Sequence, residues 1–185
     1  EQVNTILNYV ENWVANNGLM LNVGKTKYMI FTNMARGDID ISIYGKQLKQ
    51  SDHERFFGVI IDSKLNWTPH IKHLKTKISR NAGVMYKLKG LVPSSVLKML
   101  YNSFIQSHVY YCAPVWGTRS YNSIKSLFSA QKKGIRAANS DFQNYRYNKE
   151  TKEPPSHTKE IFNMLEILSL PNLIAKTCLC LMHKV

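Results

Sequence analysis

Between Ser63 and Ser140 the chain places 13 positive side chains and not one Asp or Glu. They are Lys64, Lys72, Lys75, Lys77, Arg80, Lys87, Lys89, Lys98, Arg119, Lys125, Lys132, Lys133 and Arg136. The chain holds 25 Lys and Arg in all, so 12 lie outside this block, against 12 acidic residues. The net charge of +13 is therefore confined to the middle of the chain. A one-sign block between neutral ends is the electrostatic footprint of a polyanion partner. Solubility asks for net charge, but it does not ask acids to vanish over so long a run.

Other residues with chemical potential are sparse. Lys25 stands in a polar turn, Gly24-Lys25-Thr26, where an ammonium could steady developing charge or give up a proton. Without a partner in view it also reads as a solvated turn lysine. Asp38 and Asp40 sit two apart beside Gly37 and could share one face of a strand, but turn residues of a hairpin are the plainer assignment. Cys178-Leu179-Cys180 with His183 misses the usual zinc spacings, and apolar helix packing is the better reading, so no metal is assigned. His70 and His73 have no carboxylate or cysteine partner in the sequence and read as phosphate-side or solvated.

The elements that must carry these groups follow from periodicity. Val3, Ile6, Leu7, Val10, Trp13 and Val14 recur at helical spacing, and Asn17-Gly18 supplies a stop. After Leu19 to Asn22 and the polar turn, Tyr28 to Phe31, the alternation Ile39, Ile41, Ile43, and the run Phe56 to Ile61 closed by Asp62 read as strands. The gaps between them are too short for crossover helices, which points to antiparallel pairing. After Asn66 the pattern turns helical. Thr68 and Pro69 mark a start, with Thr68 as cap, and Ile71, Leu74, Ile78, Ala82 and Met85 form the inward stripe. That stripe sends Lys72, Arg80 and Lys87, with His73, to the opposite face. A second helix opens at Pro93 and uses Val96, Leu97, Leu100, Phe104 and His108. A third runs from about Tyr121 with Ile124, Leu127, Phe128, Ile135 and Ala138 inward, and gathers Lys125, Lys132, Lys133 and Arg136 on its flank. Tyr110 to Gly117 reads as a tight aromatic turn. Ser140 to His157, with Pro154-Pro155, reads as a linker. Short helices follow around Ile161 to Leu168 and from Pro171.

A length of 185 residues, 44% of them hydrophobic, suits one or two small domains with a real core. No apolar stretch reaches the roughly 20 residues of a membrane span, and the start lacks the layout of a secretory signal. Three cysteines, Cys112, Cys178 and Cys180, argue against a disulfide scaffold and for an intracellular setting, nucleus or cytoplasm. Asn66-Trp67-Thr68 matches a glycosylation acceptor by chance on this reading. The chain opens on Glu1 with apolar periodicity already running, the look of a segment cut from a longer polypeptide.

Four motifs in order carry a resemblance. Trp13 with Asn17-Gly18-Leu19-Met20-Leu21-Asn22 and Lys25-Thr26-Lys27-Tyr28-Met29-Ile30-Phe31 resembles the segment after the catalytic aspartates in reverse transcriptases of jockey-like non-LTR retrotransposons. Arg55-Phe56-Phe57-Gly58-Val59-Ile60-Ile61-Asp62 resembles their primer-grip strand, where the family usually has Leu-Gly. Lys64-Leu65-Asn66-Trp67-Thr68-Pro69-His70-Ile71 resembles the entry to their thumb. Leu100-Tyr101 through Tyr110-Tyr111-Cys112-Ala113-Pro114-Val115-Trp116-Gly117 is similar to a late-thumb signature.

The resemblance implies an α+β chain with three parts. Residues 1–62 would be the end of a palm, an antiparallel sheet remnant with one helix. Residues 63–139 would be a basic helical thumb, and 140–185 a linker with short C-terminal helices. It implies RNA-directed DNA polymerisation for the parent, with Mg²⁺ as the cofactor of the intact polymerase and none in this chain. Implied partners are an RNA template and a DNA primer, as hybrid or duplex, and the upstream palm and fingers of the parent polypeptide. Lys25 corresponds to a lysine near the leaving pyrophosphate, Phe57 and Gly58 to the primer grip, and Lys72, Lys75, Arg80, Lys87, Lys125, Lys132 and Arg136 to the duplex-binding surface. The family's polymerising centre needs an aspartate pair and a further aspartate, and no Asp-Asp pair occurs here. The alternative is a non-enzymatic nucleic-acid-binding remnant of a decayed or domesticated element.

Overall fold

The computed structural model describes residues 2–32, 39–118, 121–139 and 158–183. Asp38 and Gly37, Arg119, and the proline-bearing linker at 140–157 lie outside the described residues. The chain separates into two compact units, Glu1–Asn66 and Trp67–Val185.

The first unit begins with helix α1, Gln2–Asn16, ended by Gly18 in the left-handed region at φ 65°. Only one edge of α1 is covered: Val14 is buried, and Leu7 packs against Ile41, Ile43 and Leu48. Asn4 fixes that edge, donating to the Asp40 carbonyl at 3.1 Å and accepting from the Ser42 amide at 3.2 Å. The periodic stripe Val3, Ile6, Val10 and Trp13 faces outward, with Trp13 61% exposed. Helical spacing identified the element, but the polar Asn4 carries the packing edge.

Among the described residues, six short strands make three two-stranded ribbons. These are β1 (Lys27–Tyr28), β2 (Ser42–Ile43), β3 (Lys46–Gln47), β4 (Lys49–Gln50), β5 (His53–Phe56) and β6 (Val59–Asp62). The β2–β3 and β5–β6 pairs are antiparallel, as the short gaps require. The β1–β4 pair is parallel, against expectation. The chain between them is occupied in part by the β2–β3 hairpin, which provides the crossover that a helix would otherwise supply. Met29 to Phe31 form no strand. The run from Phe56 to Ile61, expected as one strand, folds back on itself. Phe57 and Gly58, at φ 44° and 85°, form a two-residue turn between β5 and β6.

The second unit is helical. Helix α2, Thr68–Leu88, buries His70, Ile71, Leu74, Ile78, Ala82 and Met85. Its cap is Trp67, in the left-handed region at φ 59° with no side-chain cap bond, and Thr68 is the first helical residue rather than the cap. Helix α3, Ser94–Tyr101, runs on through a π-turn, Asn102–Gln106, into α4, Ser107–Tyr110. The buried stripe is Leu97, Tyr101, Ile105 and Val109, not the Phe104 and His108 of the sequence reading. A stripe spaced by four residues drifts around a regular helix of 3.6 residues per turn. The wider π-turn takes up the extra residue and keeps all four on one face. Asn81 of α2 donates to the Phe104 carbonyl inside that turn at 2.6 Å.

The aromatic segment then makes one helical turn, α5, Ala113–Trp116, with Trp116 fully buried and its indole donating to the Tyr111 carbonyl at 2.9 Å. Helices α6 (Tyr121–Ala138), α7 (Thr158–Met164) and α8 (Leu170–Met182) complete one shared core with α2. Gln131 of α6, wholly buried, clamps the entry to α8: its amide donates to the Leu168 carbonyl at 3.1 Å and its oxygen accepts from the Leu170 amide at 2.7 Å. The assembly of helices and small sheets is α+β.

Gln131→Leu keeps the volume but leaves two backbone groups near the core without this partner. The variant should lose about 2–3 kcal/mol of unfolding free energy, read as a drop in the urea midpoint at unchanged slope.

Candidate nucleic-acid interface

The burial of α2 decides which of its charges reach solvent. Ile71, Leu74, Ile78, Ala82 and Met85 face α6 and the core, and Lys72, Lys75, Arg80 and Lys87 are exposed. Lys77 and His73 are half-buried at the margin of the same face. His70, read as phosphate-side, is instead buried, with its ring edge-on to Trp116 at 5.7 Å between centroids. One turn of spacing separates it from Leu74 and Ile71 neighbours it, so it joins the inward stripe.

Helix α6 turns Ile124, Leu127, Gln131 and Ile135 inward and leaves Lys125 and Lys133 exposed. Lys132 and Arg136 share the flank of Lys125 but are half-buried. The Lys132 ammonium lies 4.5 Å from the Phe128 ring centroid, and Phe128 stacks on Phe162 of α7 at 6.2 Å. That contact ties Lys132 to an aromatic pair and costs it reach. Arg136 lies near Tyr86 of α2: burial pushes the Tyr86 phenol up, and the positive guanidinium pulls it back. The basic flank of α6 and the outer side of α2 thus approach each other at Tyr86.

Lys98 meets Glu166 at 3.8 Å, an exposed pair that brings an acid from beyond the basic block. Among the described residues, Lys72, Lys75, Arg80, Lys87, Lys125 and Arg136 form no ion pair.

A further basic group was not singled out by sequence. His108 of α4 feels Lys77 and His73 of α2, and its imidazole is held below the usual 6.5 by burial first and then by those two charges. The spacing of His73 and Lys77 was visible in the chain; their meeting with His108 needs the tertiary fold.

In the first unit, Lys25 is exposed on a tight turn, its amide bonded to the Asn22 carbonyl at 3.0 Å and side-chain oxygen at 3.2 Å. The turn borders an open cavity of about 600 Å³ whose lining includes Asn22, Gly24, Thr26, Lys46 and Lys49. Phe57 and Gly58 form the tip of the β5–β6 hairpin, with Phe57 79% exposed and its ring edge-on to Phe56 at 4.5 Å. A bulky residue at positive φ is strained, and this one sits where Asn or Gly fits best.

Three carboxylates of this unit have structural work. Glu11 accepts from the Tyr44 amide, Glu54 pairs with Lys27 at 2.5 Å, and Asp62 accepts from the Lys64 and Asn66 amides at 3.2 and 3.0 Å. Among the described residues no three His, Cys, Asp or Glu gather as a metal would need, Cys178, Cys180 and His183 included. These side chains do not fit a two-metal phosphoryl-transfer centre. No helix among the described residues is long and apolar enough to cross a membrane.

One stability prediction follows from His108. Its folded value lies below its unfolded one, so the unfolded chain binds more protons as pH drops below 6.5. Stability should be flat above that point and fall as pH drops through the folded value. His108→Gln should remove that part of the decline, measured as Tm against pH.

The geometry can be set beside known proteins. No family model matches the chain, and no solved structure matches it. It is similar to the RNA-directed DNA polymerase from mobile element jockey of Drosophila funebris, 23% identical over 134 residues. That alignment covers 70% of this chain and 14% of the relative, so the chain matches only a small part of the relative's length and bears a distant likeness to a mobile-element reverse transcriptase.

Proposed function

We propose that this chain is a C-terminal segment of a non-LTR retrotransposon reverse transcriptase, and that it binds and positions the primer–template duplex. The observation that carries the reading is the outward basic face of α2, held there by a buried stripe within a stretch of sequence that has no Asp or Glu, in a chain similar to a jockey polymerase. In this reading residues 63–139 act as the thumb, with Lys72, Lys75, Arg80, Lys87 and Lys125 on phosphates and Lys132 and Arg136 at the margin. The β5–β6 hairpin offers Phe56 and Phe57 to the primer as a grip, and Gly58 removes the side chain that would block backbone approach. Lys25 stands on the pyrophosphate side of the parent's centre. The intact polymerase would use Mg²⁺ held by aspartates this chain does not contain.

Phosphate contacts give affinity without base information, so sequence preference should be slight. On duplex, log affinity should fall against log salt with a slope of about −0.9 per phosphate neutralised. Lys72→Gln, Arg80→Gln and Lys87→Gln combined should flatten the slope by about 2–3 and leave the melt unchanged. Fluorescence anisotropy across a salt series reads both. Equal slopes for the two proteins would remove α2 from the interface.

The chain alone should incorporate no nucleotide on an oligo-dT/poly-A substrate with Mg²⁺ or Mn²⁺. Template-dependent extension above background would mean that its carboxylates do form a centre. The absence of an Asp-Asp pair also suits a non-enzymatic nucleic-acid-binding remnant. The two share the binding prediction and part on the parent: only a polymerase segment should restore extension when supplied with an aspartate-bearing palm.

A further inference from the structure

Helix α6 carries an aromatic ring inside its basic flank. Lys125, Phe128, Lys132 and Arg136 recur at spacings of three and four residues, which puts them on one ridge of the helix. Phe128 is half-buried there, and its ring stacks on Phe162 of α7 at 6.2 Å between centroids, with the two planes 29° apart. Among the described residues the Lys132 ammonium meets no carboxylate; it rests over the Phe128 ring, 4.5 Å from the centroid. In the free protein a cation thus holds the ring face that a flat aromatic ligand would take.

Beside this pair, α6, α7 and the start of α8 border a cavity of about 310 Å³. Its apolar side is Phe128, Phe162 and Ile167, and its polar side includes Lys132 and the exposed amides of Asn163 and Asn172. None of the residues lining it is acidic. That volume lies at the low end of the roughly 300–1,000 Å³ of small-ligand sites, which admits one flat ring system and excludes a helix or a hairpin. The ring offers a stacking face, the amides can pair with the edge of a heterocycle, and the ammonium asks for an anion close by. A nucleotide supplies all three on one covalent unit. A base inside a paired duplex has no free face, so that nucleotide has to be unpaired.

We infer that this cavity holds one unpaired base of the nucleic acid that the chain binds, stacked on Phe128, with Lys132 moved from the ring to the adjoining phosphate. The inference rests on the proposed function and extends it from the duplex backbone to a single-stranded extension of the hybrid, and from α2 and α6 to α7 and α8. Magnitudes favour the exchange. Stacking one base on an aromatic side chain is worth about five- to a hundredfold in affinity, and an exposed cation–π contact about two- to fivefold. The released ammonium gains a phosphate in return, so the net should be roughly three- to thirtyfold.

The test is fluorescence anisotropy of the full chain with labelled RNA–DNA hybrids: blunt, with an unpaired extension of about four nucleotides tried at each end, and with the same extension made abasic. The unpaired extension should tighten binding roughly three- to thirtyfold at one end at least, and the abasic one, which keeps the phosphates, by less than about twofold. Phe128→Leu keeps the apolar bulk but removes the stacking face. It should bind the blunt hybrid within about twofold of the unaltered chain and lose most of the gain, and Phe128→Tyr should retain the gain. Photo-cross-linking from 5-iodouridine in the extension locates the base in the unaltered chain, whatever the stability of the variants, and should mark the peptides bearing Phe128 or Phe162. Equal affinity for blunt and extended hybrids, a gain that the abasic extension reproduces, a gain that survives in folded Phe128→Leu, or cross-links only to other peptides overturns this site and leaves the proposed function standing. No binding of any hybrid overturns both.

Discussion

The packing of α2 against α6 is the constraint on which the rest depends. Its buried stripe runs the length of α2, and Ile78 and Met85 are wholly excluded from solvent. Rotating the helix to hide its lysines would bury ammonium groups without partners, at a far higher free-energy cost than exposing them. The orientation is therefore forced, and with it the outward direction of Lys72, Arg80 and Lys87. The same logic holds on α6, where the clamp through Gln131 adds a directional lock to the apolar one. Glycine lets the helices close up: a Cβ on Gly134 would lie 2.3 Å from the Ile105 side chain, and one on Gly117 would lie 2.8 Å from the Ile174 side chain of α8. The π-turn then keeps a four-residue stripe on one side. Each device serves the core, and the charged surface is its consequence.

Much of this was legible in the residues. The long helices α1, α2 and α6, the outward set on α2 and the acid-free block follow from period and composition alone. What was not legible depended on geometry that periodicity cannot encode. The π-turn moved burial from Phe104 and His108 to Ile105 and Val109. Left-handed Phe57 and Gly58 turned one apolar run into a hairpin, because hydrophobicity marks strands but backbone sign marks turns. The parallel β1–β4 pair needed knowledge of what fills the intervening chain. His70 looked solvent-facing for want of a polar partner in sequence, yet it rests against Trp116, a residue far along the chain.

The first unit is organised differently. It has a small core of Ile41, Ile43 and Leu48, and much of its apolar surface is uncovered, from Val3, Ile6 and Trp13 on α1 to the aromatic hairpin tip. Its strands are held by polar clips: Asn4 to β2, Glu11 to the β2–β3 turn, and Lys27 to Glu54, a bond that keeps the Glu54 carboxyl below its usual range. A unit so dependent on surface clips and so rich in outward apolar residues is suited to lean on other protein, which agrees with a palm remnant in the proposed parent. Phe57, strained and 79% exposed, presents an aromatic ring to solvent at a backbone cost, as Tyr44 at φ 50° does less fully.

The central claim is that the outer face of α2, and not positive charge in general, meets the nucleic acid. Lysine acetylation footprinting with and without an RNA–DNA hybrid tests it residue by residue in a single experiment. Lys72, Lys75 and Lys87 should lose most of their reactivity on binding, Lys125 should be partly shielded, and Lys159 and Lys176 on α7 and α8 should acetylate as in the free protein. Protection spread evenly over all of these lysines, or confined to α7 and α8, would contradict the account.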